Sequence, residues 1–378
     1  MVLSLIVALG PVASARAGSS AGAGAAWPTA EEALAELGPG VNLGNGLEAP
    51  SPGEWGVVVD EALLDAVVSG GFEAVRLPVR FNAHALADPP YTLDPAFMAM
   101  VDGIISAATD RGLVVIVDLH HYDELHADPA GQRARFLAIW EQLASRYADR
   151  PPSVWFELLN EPQGSLDPAT WNTLASDALA VVRQTNPQRI VVVGAALYSH
   201  ARALQLLDPP RDPYVAATFH TYDPFPFTHQ GASWVPGSDA WLGTRWTGTQ
   251  DEIDALHSIM DAADAFEART GVPVLLGEYG AFEAAPHQDR VVWTDAVGCA
   301  ADAHGIPAFY WELASGFGFW DVPTQTWDEA LRDAVLAPRE RSCVRSALQT
   351  STTTAASGTA ATPTGPASAP RLMPAFTG

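Results

Sequence analysis

Eight short apolar segments rich in β-branched residues constrain the fold of this chain more than any other feature of its sequence. They lie at residues 40–43, 74–79, 113–119, 154–159, 190–193, 215–219, 274–277 and 308–311. These segments lack the polar alternation of a half-exposed strand, which predicts strands that are buried on both faces. Such strands are typical of a parallel sheet that is covered by helices.

Segments with the period of an amphipathic helix separate these predicted strands. They lie at residues 62–68, 97–109, 133–147, 170–183, 253–269 and 290–303. Eight strands alternating with helical segments predict one α/β domain, a closed (β/α)8 TIM barrel, rather than an open doubly wound sheet.

Composition limits the possible partners of the chain. The 378 residues include 44 Asp and Glu against 20 basic residues, which gives a formal net charge of −24. Because a nucleic-acid site needs a basic surface, this balance argues against nucleic acid and anionic membranes as partners. All 20 basic residues are arginine, which excludes catalysis through a lysine Schiff base and phosphate binding by a P-loop lysine.

The sequence has two cysteines, Cys299 and Cys343, and no Cys-x-x-Cys motif. A structural zinc site of the cysteine type is therefore excluded. The two thiols could form a disulfide in a secreted barrel, but the sequence does not show whether they are close enough.

Residues 1–17 resemble a secretory signal peptide, because an apolar run is followed by small-residue cleavage signals; the removed segment could extend to about residue 26. No positive charge precedes the apolar run, so a buried N-terminal helix is the alternative. Residues 27–346 would form the barrel, and residues 347–378, rich in Ser, Thr, Ala and Pro, a disordered tail or linker. We expect a secreted, extracellular protein with no membrane segment after processing.

Polar side chains follow the predicted strands at their C-terminal ends, where a TIM barrel has its active site. Glu161 follows the fourth strand and Glu278 ends the seventh, so the two carboxyl groups would face each other across a narrow barrel. Two opposed carboxyl groups are typical of glycoside hydrolysis. Tryptophans near the strand ends, whose flat rings could stack on sugar rings, are Trp55, Trp234, Trp241, Trp246, Trp311 and Trp320.

Seven motifs in the order of the strands give the chain a resemblance to a known family. The motifs lie at residues 40–50, 75–80, 120–122, 156–162, 220–222, 277–280 and 310–312, and include Asn160-Glu161-Pro162. With them the chain resembles glycoside hydrolase family 5, the cellulase family of retaining (β/α)8 enzymes. The segment 225–231 further resembles the branch of thermophilic bacterial endoglucanases that also have mannanase activity.

The resemblance implies a role for each strand-end residue. Glu161 would be the general acid/base and Glu278 the nucleophile, which Arg76 and Tyr222 would keep ionised. Asn160 would bind the sugar 2-hydroxyl. The other residues that the resemblance places in substrate binding or in support of the catalytic groups are His120, His121, His220, Trp311, Asn45, Glu48, His229 and Trp234.

The function that follows is a retaining endo-β-1,4-glucanase, acting as a monomer without cofactor or metal on cellulose and related β-glucans. A β-1,4-mannanase or glucomannanase on the same scaffold is the main alternative. Leu197-Tyr198 stands where some relatives of that branch place an acidic residue and a tryptophan, which could shift the preference between glucan and mannan.

Two functions of other classes remain open. A metal-dependent barrel hydrolase would use Asp118, His120, His121 and His220 as ligands. Neighbouring residues of a strand face opposite sides, so His120 and His121 can both face inward only where the strand has ended. A non-catalytic carbohydrate-binding barrel is the other alternative, and the presence of both carboxyl groups argues against it.

Overall fold

A computed structural model describes residues 27–337 of the chain. Eight parallel strands form its centre: β1 (Gly40–Asn42), β2 (Ala74–Val79), β3 (Val114–Leu119), β4 (Val154–Glu157), β5 (Val191–Gly194), β6 (Val215–Thr221), β7 (Val274–Tyr279) and β8 (Ala308–Tyr310). Each strand pairs with the next, and β8 pairs with β1, which closes the barrel. The predicted (β/α)8 barrel is confirmed, and every predicted strand segment contains a strand.

Helices precede, separate and follow the strands, and most of them connect successive strands on the outside of the barrel. They are α1 (Ala30–Ala35), α2 (Glu61–Gly70), α3 (Pro95–Asp110), α4 (Asp123–Ala127), α5 (Pro129–Arg146), α6 (Pro168–Arg183), α7 (Phe225–Thr228), α8 (Gln250–Thr270), α9 (His287–Ala303) and α10 (Glu329–Val335). Short 3₁₀ helices lie at Phe81–His84, Ala201–Leu206 and Ser238–Trp241, and strands β9 (Trp320–Asp321) and β10 (Thr326–Trp327) form a two-stranded sheet after β8. Among the described residues, no helix combines the length and apolar character needed to cross a membrane.

Three of the long helices begin in the same way, at an Asp-Pro pair. Asp94, Asp128 and Asp167 are the N-caps of α3, α5 and α6, and each carboxylate accepts a hydrogen bond from a backbone N–H of the first turn. The proline that follows takes the first helical position. Its missing N–H costs no hydrogen bond there, because an N–H at that position has no partner within the helix. This signature places the helix starts before the periodic segments that the sequence predicts.

The apolar core has two layers because strand side chains alternate between the two faces of the barrel wall. Val115 and Val117 belong to the large cluster between strands and helices, whereas Ile116 belongs to a separate cluster with residues of other strands. Leu34 of α1 is in this second cluster. The short helix before β1 therefore covers the interior of the barrel at its N-terminal end.

The predicted signal peptide and tail lie outside the described residues. Cys299 lies in α9 and is disulfide-bonded, while Cys343 lies outside the described residues as well.

Arg189, just before β5, is a fully buried cation whose hydrogen bonds hold the start of β4. Its guanidinium donates to the carbonyl oxygens of Tyr147 (2.8 Å), Arg150 (2.9 Å) and Val154 (2.5 Å). The carbonyls at the turn between α5 and β4 thus have a charged donor in place of water.

We expect Arg189→Met to lower the free energy of unfolding by at least about 3 kcal/mol, because several buried carbonyls would lose their donor. Arg133→Met is the matched control, since Arg133 is half-exposed and bonds Asp177 in a surface ion pair, worth less than about 1 kcal/mol. Urea unfolding of the three proteins measures the effect. Equal destabilisation by both substitutions would contradict the role of Arg189.

Candidate active site

The side chain at the centre of the barrel mouth is Arg76 of β2, which is fully buried. Its guanidinium contacts three carboxylates: Glu157 at 2.7 Å, Glu278 at 2.6 Å and Asp118 at 3.0 Å. Burial alone would lower the pKa of Arg76, but these carboxylates raise it well above its usual value. One permanent positive charge therefore lies among several acids, and part of their negative charge must be neutralised by protons.

Two amides complete the shell around the guanidinium. Arg76 donates to Asn160 Oδ1 (2.8 Å) and Asn42 Oδ1 (3.0 Å). Asn42 in turn donates to the carbonyl oxygen of Gly277, at 2.9 Å. The ends of β1, β2, β4 and β7 are thereby joined through one hydrogen-bonded network.

Glu278 lies on β7 with its side chain 5% exposed. One carboxylate oxygen accepts from Arg76, and the other accepts from the Tyr222 hydroxyl at 2.8 Å. Burial raises the pKa of Glu278 above its usual value, although His220, Arg76 and the Tyr222 hydrogen bond act to lower it. Arg76 and Tyr222 thus favour the ionised form against the effect of burial.

Glu161 directly follows Asn160 beyond the end of β4, and its side chain is 26% exposed. Its φ of 44° lies in the left-handed region, where few residues other than glycine are found. Burial raises the pKa of Glu161 to about 7. The Glu161 carboxyl group lies 2.8 Å from the His220 ring nitrogen Nδ1, and Arg76 opposes the effect of burial on its pKa without cancelling it.

His220 of β6 stands between the two glutamates. Its Nδ1 lies 2.8 Å from Glu161 Oε1 and 3.5 Å from Glu278 Oε2. One atom each from Glu161, His220 and Glu278 lies within 4.8 Å of the others. Burial lowers the pKa of His220 to about 4, so the ring is neutral at pH 7 and can donate one proton to a carboxylate.

One side of the site is formed by rings from the ends of β3 and β8. The imidazole of His120 stacks on Trp311, with 5.6 Å between centroids and 8° between planes. Asp118 Oδ2 lies 2.5 Å from His120 Nδ1 and fixes the ring orientation. His121 has a φ of 55° and packs edge-on against Trp55. The strand has ended before His121, so both neighbouring histidines lie at the barrel mouth.

The opposite side is built from the long connection after β6. His229 stacks on Phe225 at 4.0 Å and meets Tyr222 edge-on at 4.9 Å. Trp234 is 45% exposed and packs its edge against Phe282. His229 and Trp234 are thus brought to the same wall as Tyr222.

Sequence reasoning missed Phe282 and Phe317, which support this wall. Phe317 contacts His229, Trp234 and Phe282 through its ring. Both follow the strand-end motifs of β7 and β8 within a few residues, and that position was the signal that could have identified them. Two predicted stacking residues lie elsewhere: Trp246 is fully buried and Trp320 packs on Trp327 in the β9–β10 sheet.

Asn45 and Glu48 shape the loop after β1. The Glu48 carboxyl group accepts hydrogen bonds from the backbone N–H groups of Asn45 and Gly46 and is completely buried. Asn45, with a φ of 62°, donates its side-chain N–H to Ser315 Oγ at 2.9 Å. Glu48 is therefore a supporting residue, and it orders the loop that carries Asn45.

Glu312, also buried, holds the loop after β8 in the same way, through the N–H groups of Ala314 and Ser315.

The ligand set proposed for a metal-dependent hydrolase is not brought together. Among residues 27–337, the groups whose ligand atoms lie within 4.8 Å of one another are Glu161–His220–Glu278 and Asp261–Asp264–His304. Asp118 and His120 contact each other, but they do not form such a group with His121 and His220. This alternative loses its structural basis.

Comparison with known proteins decides the family. Residues 38–316 match the family model described as cellulase, glycosyl hydrolase family 5. The chain belongs to this family. Its members are glycoside hydrolases, and the resemblance inferred from the seven motifs is confirmed.

Two relatives illustrate the similarity, one by its structure and one by its sequence. Thermotoga maritima Cel5A, solved with cellobiose and with mannotriose, is 40% identical, with TM-scores of 0.78 and 0.79 over 79% and 80% of this chain and 97% and 99% of the Cel5A chains. Endoglucanase H of Acetivibrio thermocellus is 34% identical over 313 residues, which are 81% of this chain. The match spans only 33% of the length of Endoglucanase H.

Buried carboxyl groups around the site make folding sensitive to pH. Burial raises the pKa of Glu48 to about 8 and those of Asp118, Glu161 and Glu312 to about 7. Carboxyls of the unfolded chain ionise near pH 4, so the folded chain holds more protons above that pH. Histidines with lowered pKa values act in the opposite sense, and this effect fades above about pH 7, where histidines of the unfolded chain have lost most of their protons. Those with lowered pKa values are His84, His120, His121, His126, His220 and His229.

We therefore expect stability to fall as the pH rises from about 7 to about 8, where the extra protons on the buried carboxyls of the folded chain outnumber those still bound to histidines of the unfolded chain. Calorimetric Tm values across this window measure the effect. Glu161→Gln removes one of the carboxyls and should make the fall smaller. A Tm that rises between these pH values would contradict the assignment of protonated buried acids.

Proposed function

We propose that the chain hydrolyses internal β-1,4 bonds of cellulose and related β-glucans with retention of anomeric configuration. The observation that carries this proposal is the short separation of the two carboxyl groups, whose nearest atoms lie within 4.8 Å. Retaining enzymes place their carboxyls about 5–5.5 Å apart, whereas inverting enzymes leave about 6.5–9.5 Å for a water molecule. The distance between Glu161 and Glu278 fits direct attack on the sugar.

The different surroundings of Glu278 and Glu161 suit them to different catalytic roles. Glu278 is buried and accepts from the Arg76 guanidinium and the Tyr222 hydroxyl, which suits a nucleophile that must stay ionised. Glu161 is more exposed, and burial raises its pKa to about 7 despite the opposing effect of Arg76. A carboxyl group that is partly protonated near pH 7 suits a general acid.

In the first step, Glu278 attacks the anomeric carbon while the glycosidic C–O bond breaks. Glu161 gives its proton to the leaving oxygen, and a glycosyl ester of Glu278 forms. In the second step, Glu161 removes a proton from water, and the water oxygen bonds to the anomeric carbon. The ester bond breaks, which restores the Glu278 carboxylate and the protonated Glu161.

The surrounding residues position the sugar. Asn160 is held by Arg76, so its amide is fixed where it can donate to the 2-hydroxyl, a contact that strengthens in the transition state. Trp311 presents a flat ring on the His120 side of the site as a stacking surface for a pyranose unit. Trp234 and Trp55 are exposed rings on opposite sides and would bind sugars farther along the chain.

Mannan or glucomannan is the second substrate class that we propose to test. Thermotoga maritima Cel5A, which is 40% identical, has been solved with both cellobiose and mannotriose. Tyr198, with a φ of 62°, is half-buried beyond the end of β5 and would offer a smaller stacking area than tryptophan. Its replacement by tryptophan would show whether this position sets the ratio of glucanase to mannanase activity.

We also propose that the protein is secreted. The disulfide at Cys299 supports this, because disulfides persist in oxidising compartments. The apolar N-terminal segment is consistent with the same compartment. Detection of the chain in culture medium rather than in cells tests the proposal.

Glu161→Gln and Glu278→Gln should each lower kcat by at least about a thousandfold, because each removes one participant in both steps. Glu283→Gln is the matched control, since Glu283 is exposed shortly after β7 and should leave kcat unchanged. Hydrolysis of soluble cellulose and circular dichroism measure activity and folding. Activity like that of the wild type in either variant would refute the assignment.

Azide distinguishes the two roles. With an activated aryl glycoside and Glu278→Ala, azide should take the place of the missing nucleophile and give a glycosyl azide of inverted configuration. With Glu161→Ala, azide should attack the glycosyl ester and give the retained product. The opposite pattern would show that the two roles are reversed.

A substrate panel separates the activities of this fold. We expect reducing sugars from soluble cellulose, barley β-glucan and glucomannan, at rates unchanged by EDTA, since neither step requires a metal. Release from galactomannan at a similar rate would establish a dual glucanase and mannanase. Binding without release from any of these substrates would instead favour a non-catalytic carbohydrate-binding barrel.

A further inference from the structure

Strand β7 contains one extra residue relative to both neighbouring strands, directly before Glu278. Phe219 of β6 pairs with Leu276. The next residue of β6, His220, pairs with Glu278, so Gly277 is left without a partner on β6. The pairing with β8 also shifts after Leu276. Gly277 is therefore the extra residue of a β-bulge, a feature that changes the direction of neighbouring side chains and often lies next to active sites.

Two polar atoms of β6 border this glycine. A Cβ atom at Gly277 would lie 2.4 Å from Thr218 Oγ1 and 3.0 Å from His220 Nε2. The hydroxyl oxygen and the ring nitrogen are therefore at most about 5.4 Å apart, the sum of these two distances. Hydrogen bonds of about 2.8 Å on each side allow one water molecule to join groups up to about 5.6 Å apart. Thr218 is thus within reach of His220, directly or through one water molecule.

The neighbouring strands show which way the Thr218 side chain points. Its methyl group faces Gly194 of β5, where an added Cβ atom would lie 3.4 Å from Cγ2, whereas its hydroxyl faces Gly277 of β7. Threonine is branched at Cβ and therefore stiff at χ1. With the methyl group against β5, the hydroxyl is held on the side of β7 and His220.

Both atoms are buried polar groups that need a hydrogen-bond partner. Thr218 is fully buried and His220 is 3% exposed. Neither Thr218 Oγ1 nor His220 Nε2 has a hydrogen-bond partner among the protein atoms of residues 27–337. A buried donor or acceptor without a partner costs free energy. A hydroxyl can donate and a neutral imidazole has one acceptor nitrogen, so each of these groups supplies what the other lacks.

We propose that Thr218 is a positioning residue, whose hydroxyl donates to His220 Nε2, directly or through one water molecule, and thereby keeps the ring proton on Nδ1. The hydrogen bond made by one ring nitrogen decides whether the other carries the proton. His220 Nδ1 lies 2.8 Å from Glu161 Oε1 and 3.5 Å from Glu278 Oε2. A proton held on Nδ1 therefore faces both carboxyl groups.

The effect on turnover rests on the proposed function. With the proton on Nδ1, His220 donates to Glu161 and supports the ionised form that removes a proton from water in the second step. With the proton on Nε2, the lone pair of Nδ1 would face the two carboxyl groups. It would repel their ionised forms and compete for the proton that Glu161 gives to the leaving oxygen. Thr218 thus acts through His220, without contact with the sugar.

The variants of Thr218 separate its hydroxyl from its shape. Thr218→Val removes the hydroxyl and keeps the branched side chain, whereas Thr218→Ser keeps the hydroxyl. Thr294→Val is the matched control, because Thr294 is also fully buried and its hydroxyl has no partner among the described residues, but it lies on α9. All three variants keep the charged and titratable groups that act on His220 or face it, which are Glu157, Glu161, Glu278, Arg76 and His120.

The tautomer of His220 is measured first, in the full chain and without reference to turnover. ¹⁵N–¹H spectra of the histidine rings at pH 7 distinguish the two tautomers, and the spectrum of His220→Gln assigns the His220 signals among the ten histidines. We expect the proton on Nδ1 in the wild type, in Thr218→Ser and in Thr294→Val, and a large share on Nε2 in Thr218→Val. A wild type with the proton on Nε2, or an unchanged tautomer in Thr218→Val, would overturn the proposal.

Kinetics on soluble cellulose test the consequence. Thr218→Val should lower kcat by about tenfold or more and leave KM nearly unchanged. The basic limb of its pH profile for kcat/KM, set by Glu161, should move to higher pH, because the ionised carboxyl group loses a donor. An equal loss of kcat in Thr294→Val, or in Thr218→Ser, would show a merely structural role and overturn the proposal. Absence of hydrolysis by the wild type would contradict the proposed function, and the spectra would still decide the role of Thr218.

Discussion

The site depends on one buried charge. Arg76 is the central cation of an arrangement in which Asp118, Glu157 and Glu278 approach to 3.0 Å or less. Without it, the barrel mouth would hold several uncompensated carboxyls, a state that costs several kcal/mol for each buried charge. With it, the ionised form of Glu278 has a cation in direct contact, although burial still raises the pKa values of Glu278, Asp118 and Glu161. One arginine thereby offsets part of the acidic charge at the barrel mouth.

The geometry around this charge is supported by backbone in the left-handed region. Glu161, His121 and Asn45 all have positive φ, and each directly follows or lies shortly after a barrel strand. Such conformations persist where the surrounding structure fixes them, and they cluster at functional sites. At Asn45 the fixing group is Glu48, and at Glu161 it is the hydrogen bond to His220.

Aromatic rings extend the site beyond the carboxyl groups. Trp311 and His120 form one stacked pair, and His229, Trp234 and the phenylalanines Phe225, Phe282 and Phe317 form the opposite wall. The strands place the reacting groups, whereas the connections after β6, β7 and β8 provide these rings. The reacting groups proposed for hydrolysis and the rings proposed for sugar binding therefore come from different parts of the barrel mouth.

The sequence by itself determined the barrel. Its eight apolar strand segments and the helical segments between them are local patterns, which can be recognised from the order of side chains without knowledge of tertiary contacts. It also predicted that Glu161 and Glu278 lie near each other, since the C-terminal ends of the strands surround one mouth of such a barrel, and their carboxyl groups are close in the structure. Only the tertiary structure decided that Glu48 is buried under its own loop, that Trp246 is in the core, that Phe317 supports the cleft and that His304 faces α8. Those outcomes depend on the packing of long loops and of neighbouring helices. Such packing brings together residues that are far apart in the chain, and no periodic pattern in the sequence indicates these contacts.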